Sequence, residues 1–214
     1  MAEAFRRTMS GRLVVRMDAV ERGVVANMIR ELMEIVAAPE AKQADPFAVE
    51  MGLEDLAPSV DVASMEMLGE RDPVTQRLFP DAYADDEQAA MDFRRFTELS
   101  LRQQKSANAA TVLACLERSG DKVTITRDEA LAWLAALNDL RLSLAVRLGL
   151  EDEASHEELV GLPQEDQRYA GFQIYDFLTW LQDSLVRALS DCADVADIFR
   201  PGGCHGCPCP GRPP

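Results

Sequence analysis

The stretch TRDEALAWLAALNDLRLSLAVRLG at residues 126–149 shows most clearly which fold this chain adopts. It opens with Thr126 and Glu129, the spacing of a capping box, in which each side chain accepts a hydrogen bond from the other residue's backbone N–H. It closes with Gly149, where a left-handed residue commonly ends a helix. Between them, apolar residues recur at helical spacing: Trp133, Leu134, Leu137, Leu140, Leu144 and Leu148. These signals predict a helix over 126–148.

Three other segments show the same period of apolar residues. The predicted helices span residues 18–38, 85–118 and 164–198. Each is followed by a proline or a Ser-Gly pair, residues that end helices. Four long helices with little strand predict a mostly α fold, a helical bundle.

Two short segments are predicted to be extended. Residues 1–17 alternate around Ser10-Gly11, which indicates a small β-hairpin because glycine tolerates the positive φ of a tight turn. Val123–Ile125 is a second short extended piece.

We expect one helical domain over residues 1–200, in which residues 1–17 form a hairpin arm. Residues 39–84 hold five of the eleven prolines and no sustained period, so we expect a long irregular connection with one or two short helices, of which residues 60–68 are the best candidate. Residues 201–214 are rich in proline and glycine, which predicts a flexible, disordered tail.

The chain is acidic, and its charge is unevenly distributed. It carries 22 basic against 37 acidic residues, a net charge of −15. Residues 17–70 and 151–200 are the acidic blocks, whereas residues 1–16 hold four arginines and one glutamate. Because DNA binding draws its affinity from basic side chains that release counterions, we expect DNA binding only weakly or through a partner. The acidity alternatively serves solubility alone.

No feature of the chain predicts a membrane protein. No stretch approaches the ~18 uninterrupted apolar residues of a membrane span, and the N-terminus lacks the basic-then-apolar order of a signal peptide. We therefore expect a cytoplasmic protein, whose thiols are kept reduced. Five cysteines in that compartment favour metal binding or reversible redox chemistry over a disulfide framework.

The tail, PGGCHGCPCPGRPP, has the highest density of reactive side chains in the chain. Three thiols and an imidazole fall within six positions: Cys204, His205, Cys207 and Cys209. An exposed thiolate oxidises to a sulfenic acid, which a nearby thiol converts to a disulfide. A ring closed by Cys207 and Cys209 would be small and strained, so the redox interpretation pairs Cys204 with Cys209 or Cys207.

Metal binding is a second interpretation of the tail, and cysteines without a function are a third. Cys204, His205, Cys207 and Cys209 meet the four-ligand count of a structural zinc site. They are closer in sequence than zinc ligands usually are, and copper(I), which accepts two or three soft ligands, fits better. The preferred prediction is a redox disulfide without a metal or cofactor.

Other reactive residues have simpler interpretations. Cys115 lies on the apolar side of its predicted helix and is expected in the core. Cys192 is a weaker candidate to trap an oxidised tail thiol. His156 is expected to be solvated in an acidic turn at residues 151–161.

Polar residues interrupt the helix at 126–148. We expect Asn138, Asp139 and Arg141 to form a buried ion network with the preceding helix and so to fix the register of the two helices. The partners expected there are Asp92, Arg94 and Arg95. The sequence has no Ser-His pairing, glycine-rich phosphate loop or His-x-x-His, so no enzymatic activity is expected.

Short motifs in the middle of the chain occur in a characteristic order. They are Asp72-Pro73, then Leu78-Phe79-Pro80-Asp81-Ala82-Tyr83, then Phe93-Arg94-Arg95 followed by Lys105, then the run from Ala132 to Leu142. In this order they resemble the actinobacterial family known as domain of unknown function 2017, whose characterised branch regulates the response to oxidative stress. Phe5, the first helix and the segment 175–185 also fall where that family has similar segments, so the resemblance covers most of the chain.

The resemblance implies a cytosolic, redox-responsive transcription regulator. Such a protein forms an intramolecular disulfide under oxidative stress and acts with an extracytoplasmic-function (ECF) sigma factor to activate cysteine and thiol biosynthesis genes. The family motifs lie in the helical body, so the placing of the disulfide at residues 204–209 is an inference from this sequence. The alternatives are a non-enzymatic interaction adaptor and a zinc or copper sensor that uses the tail.

Overall fold

The computed structural model describes residues 2–37, 72–83, 86–118 and 120–190, apart from the side chains of Glu87, Arg95 and Phe96. The elements are β1 (Glu3–Arg7), β2 (Leu13–Arg16), α1 (Ala19–Val36), α2 (Pro73–Leu78), α3 (Glu87–Glu117), β3 (Lys122–Ile125), α4 (Arg127–Leu148), α5 (Glu153–Val160) and α6 (Gln167–Ser190). The fold is mostly α, as predicted, and α1, α3, α4 and α6 are the four long helices.

The capping signals of the sequence are present in the structure. Asp18 and Glu21 form a reciprocal capping box at the start of α1, and Thr126 and Glu129 form one at the start of α4. Gly149 ends α4 with a φ of 69°, the left-handed conformation that glycine adopts without strain. These polar contacts satisfy backbone groups that a helix end leaves unpaired.

The predicted hairpin belongs to a larger sheet. Gly11 turns the chain with a φ of 78°, and β3 pairs with β2 to give the antiparallel order β1-β2-β3. Phe5 and Leu13 are buried in the core, and the Phe5 ring meets Trp133 edge-to-face at 5.7 Å. The backbone N–H of Phe5 also donates to Ser184 Oγ at 3.3 Å. The hairpin predicted as an arm is therefore packed on α4 and α6.

Helix α4 is the centre of the bundle. It packs against α1, α2, α3 and α6. Its fully buried residues include Trp133, Ala136 and Leu137, and Leu140 is 2% exposed. Burying one large apolar side chain contributes roughly 1.5–3 kcal/mol, so the apolar positions of this helix dominate the core.

The structure places a short helix in the predicted connection and revises two other sequence predictions. Within the predicted irregular connection, residues 73–78 form α2, for which Asp72 is the N-cap and Pro73 the first helical residue. The acidic turn is the helix α5. Helix α6 starts at Gln167, later than predicted. The predicted helix near 60–68 and residues 191–214 lie outside the described residues.

None of the helices within the described ranges has both the length and the apolar character needed to cross a membrane.

Candidate functional site

The predicted redox and metal residues lie outside the part of the chain that the structure describes. This holds for Cys204, His205, Cys207 and Cys209, and also for Cys192. The proposed disulfide and the alternative metal site therefore stay predictions. Among residues 2–37, 72–83, 86–118 and 120–190, no group of three or more His, Cys, Asp or Glu side chains could hold a metal ion.

Cys115 is a core residue, as predicted. Its side chain is buried, and its thiol is free. Burial raises the pKa of the thiol, while the neighbouring Trp133 indole and Arg118 guanidinium act in the opposite direction. The Trp133 N–H makes no hydrogen bond of normal geometry to any described residue, so it acts on the sulfur only as a weak dipole. A neutral, buried thiol is a poor nucleophile and a poor oxidant sensor.

Three residues of the sequence motifs, Phe79, Lys105 and Asp139, lie together with Glu98 and Arg102 in a largely buried charged group, which we call the Phe79 cluster. Phe79 directly follows α2 and is 3% exposed. The Arg102 guanidinium lies 4.5 Å from the centre of its ring, and Lys105 Nζ lies 5.8 Å from it. Such cation–π contacts are strongest where the cation is desolvated.

Glu98 and Arg102 form the first ion pair of the Phe79 cluster. Both side chains are buried, and Glu98 Oε1 accepts from Arg102 Nε at 3.0 Å and from Nη2 at 2.8 Å. Arg102 Nη1 also donates to the carbonyl oxygens of Ile35 and Ala37 at 3.2 and 3.1 Å. One guanidinium therefore joins the C-terminal end of α1 to α3.

Lys105 and Asp139 form the second pair, which joins α3 to α4. Lys105 Nζ lies 2.6 Å from Asp139 Oδ1, and the aspartate is 3% exposed. Burial raises the pKa of Asp139, and the Lys105 ammonium offsets part of that rise. Removing one partner of a buried pair costs about 3–5 kcal/mol, because the other charge is left buried without compensation.

The ion network predicted between α3 and α4 exists with different partners. Asp139 pairs with Lys105, whereas Arg94 lies 3.5 Å from Asp81, in the segment that follows α2. Asp92 accepts a hydrogen bond from Gln88 on its own helix. The predicted partner residues were wrong because the pairing depends on the point along α3 at which α4 crosses it. Local spacing in the sequence does not encode that point.

Arg141 faces α6 rather than α3. Its Nε donates to Thr179 Oγ1 and its Nη1 to Gln182 Oε1, each at 2.9 Å, and its Nη2 donates to the hydroxyl of Tyr175 at 3.3 Å. The guanidinium carbon lies 5.3 Å from the centre of the Tyr175 ring. A part-buried arginine is thus held by one helix through neutral acceptors.

An open cleft of about 330 Å³ lies beside Arg141. Its walls come from the end of α2, from α4, from the loop into α5, and from α5 and α6. His156, predicted to be solvated in a turn, is instead half-buried on α5, where it meets Phe172 edge-to-face at 5.7 Å and lines this cleft. The cleft was not predicted from the sequence, although Tyr175, Thr179 and Gln182 share one face of α6 at helical spacing.

These two regions differ in what they can do chemically. The Phe79 cluster is closed and its charges are neutralised. The cleft is open and contains a guanidinium without an acidic partner among the described residues. His156, which also lines the cleft, makes no hydrogen bond to a nucleophilic side chain among the described residues.

Comparison with known proteins confirms the family resemblance. The model of the family described as domain of unknown function (DUF2017) matches residues 2–189. The oxidative stress regulators AosR of Mycobacterium tuberculosis and Mycobacterium bovis are each 33% identical to this chain over 131 residues, and a relative from Mycobacterium leprae is 34% identical. These alignments cover 55% of this chain and 58% of each relative, so less than two thirds of their length is matched. No solved structure matches.

The family match covers every element of the described body, including the Phe79 cluster and the cleft beside Arg141. This chain therefore belongs to the DUF2017 family, and its curated relatives are named as regulators of oxidative stress.

Proposed function

We propose that this protein is a redox-responsive transcription regulator. It forms an intramolecular disulfide under oxidative stress and then acts with an ECF sigma factor to activate cysteine and thiol biosynthesis genes. The observation that carries the proposal is the likeness to relatives named oxidative stress regulators.

The cysteine inventory supports a sensor in the C-terminal segment. Cys115 is buried and its pKa is raised, so it reacts slowly with oxidants. The remaining four cysteines all fall at residues 192–209, three of them within six positions. Two thiols so close in sequence form an intramolecular disulfide with little loop-closure cost.

The charge distribution supports delivery to DNA by a partner. The hairpin presents four exposed arginines, Arg6, Arg7, Arg12 and Arg16, and the last of these lies 3.9 Å from Glu3. The chain as a whole carries −15. A small basic surface on an acidic protein gives weak phosphate binding that is lost steeply between ~50 and ~200 mM salt. In this proposal the partner therefore makes the base contacts that recognise the DNA sequence.

The experiment is a binding assay between the full chain, either reduced or treated with peroxide, and an ECF sigma factor from the same organism. We expect the oxidised protein to retain the sigma factor and the reduced protein to release it. Cys204→Ser should lose this difference, and Cys115→Ala should keep it. Equal binding in both redox states would contradict the proposal.

Two further measurements separate the alternatives. Stoichiometric zinc or copper in the protein as isolated would favour a metal sensor. Nanomolar, sequence-specific DNA binding by the protein alone at ~150 mM salt would contradict a partner-dependent mechanism, because that is the range of autonomous regulators.

A further inference from the structure

The guanidinium of Arg141 has donors that no hydrogen bond within the described residues uses. An arginine presents five N–H donors, and contacts to Thr179, Gln182 and Tyr175 engage three of them. These acceptors lie on a single helix, so the side chain is held in one orientation. The remaining donors belong to a charge that no described carboxylate neutralises.

Arg77 is a second cation on the same cleft. Arg77 is exposed near the end of α2 and forms no ion pair with a described residue. Two guanidinium groups on one cleft attract an anionic group, and the planar fork of arginine suits a carboxylate.

Negative charge on this cleft comes from the loop before α5 and from the first residue of α5. Glu151 and Glu153 are exposed on this cleft and, like the arginines, have no ion-pair partner among the described residues. Asp152, between them, is occupied as the N-cap of α5, where it accepts from the Ser155 backbone N–H at 2.9 Å. The cleft therefore holds arginines and glutamates that do not pair with one another across it.

A ligand with both charges satisfies this arrangement. From these charges and the cleft volume, we propose that the cleft beside Arg141 binds a small zwitterionic molecule of the amino-acid class, with its carboxylate on Arg141 and Arg77 and its amino group toward Glu151 and Glu153. A simple anion would be repelled by the glutamates, and a simple amine by the arginines. The volume of about 330 Å³ is at the lower end of the range for small-molecule sites, which suits a ligand of this size. The site is independent of the thiol chemistry proposed above.

The test is a titration of the isotope-labelled full chain, followed by NMR. The probes are unbranched ω-amino acids from glycine to 6-aminohexanoate, with hexanoate and hexylamine as matched compounds that each lack one charge. We expect at least one amino acid to give saturable shifts at residues of the cleft, with an affinity at least tenfold above that of hexanoate and hexylamine.

Variants separate binding from folding. Arg141→Gln should weaken binding at least tenfold. Ala145→Leu should weaken it as well, because it narrows the cleft without removing a polar group. Arg168→Gln is the control, since Arg168 is exposed on α6 and pairs with Glu158 and Asp166 away from the cleft.

Three results would overturn the proposal. The first is that no probe gives saturable shifts in the cleft. The second is that Arg141→Gln and Ala145→Leu bind as tightly as the unchanged protein. The third is that hexanoate or hexylamine binds as tightly as the best amino acid.

Discussion

The Phe79 cluster and the cleft beside Arg141 hold charge in opposite ways, although both are built on α4. Asp139 and Arg141 are two residues apart, so they point to different sides of the helix. Asp139 meets Lys105 at 2.6 Å, whereas Arg141 meets a threonine, a glutamine and a tyrosine. The ion pairs of the Phe79 cluster join helices to one another, whereas the Arg141 guanidinium has no carboxylate partner among the described residues.

The largest effect is expected from Arg102→Met. This change leaves Glu98 buried without its partner and removes the two hydrogen bonds to the end of α1. Breaking a buried pair from one side costs about 3–5 kcal/mol. Urea unfolding of the variant measures this loss.

The matched control is Arg187→Met. Arg187 and Asp183 form the same i,i+4 pair at 2.8 Å on α6, but both side chains are exposed. We expect a loss of at most about 0.5 kcal/mol. Equal losses in the two variants would contradict the structural role given to the Phe79 cluster.

A smaller loss, about 2–3 kcal/mol, is expected from Lys105→Met. The lysine side chain is 20% exposed, so breaking this pair costs less than the fully buried range. Lys105→Met combined with Asp139→Leu should recover part of the loss, because no unpaired buried charge then remains. A double variant that is less stable than Lys105→Met would show that the pair itself, and not the orphaned aspartate, determines the result.

Arg141→Gln should cost less stability still, about 1–2 kcal/mol, because its lost hydrogen bonds involve neutral partners. The same variant is expected to lose ligand affinity. Thermal or urea unfolding checks it. A loss as large as that of Arg102→Met would mean that Arg141 is principally a structural residue.

The smallest effect is expected from Asp72→Ala at the start of α2. The hydrogen bond from the Thr75 side chain is the main reason that the pKa of Asp72 lies below its usual 3.8. A lowered pKa contributes stability that is present above 3.8 and is lost as the pH falls through the folded-state value. We expect a loss of about 1 kcal/mol at pH 7 that shrinks toward pH 3. A pH-independent loss, measured by urea unfolding, would refute this account of the cap.

Much of the fold follows from the sequence because its signals are local. The pairs Asp18–Glu21 and Thr126–Glu129 define helix starts, and Gly149 defines an end, in the structure as in the sequence. Short-range hydrogen bonds of this kind depend on neighbouring residues alone. The extended segment at 123–125 was predicted, but its pairing in the sheet was harder to predict, since Val123 pairs with Val15 across 108 positions.

The candidate site was less predictable because its contacts are long-range. Asp139 and Arg141 are recognisable from the sequence as polar positions in an apolar helix, and the partners of both were expected on α3, which is right for Asp139 and wrong for Arg141. Their partners, Lys105 and Tyr175, are each 34 residues away, in opposite directions along the chain. Which neighbouring helix a side chain of α4 meets depends on the angles at which the helices cross. The spacing of apolar residues does not report those angles.

The most direct test of the proposed function is to map disulfides in the full chain after mild peroxide treatment. We expect the intact mass to fall by about 2 Da for each disulfide formed, without dimers, and the bridged peptide to link Cys204 with Cys209 or Cys207. Cys115 should stay reduced until the protein is unfolded. A bridge that includes Cys115, or the same intramolecular oxidation in Cys204→Ser, would contradict the assignment of redox sensing to residues 204–209.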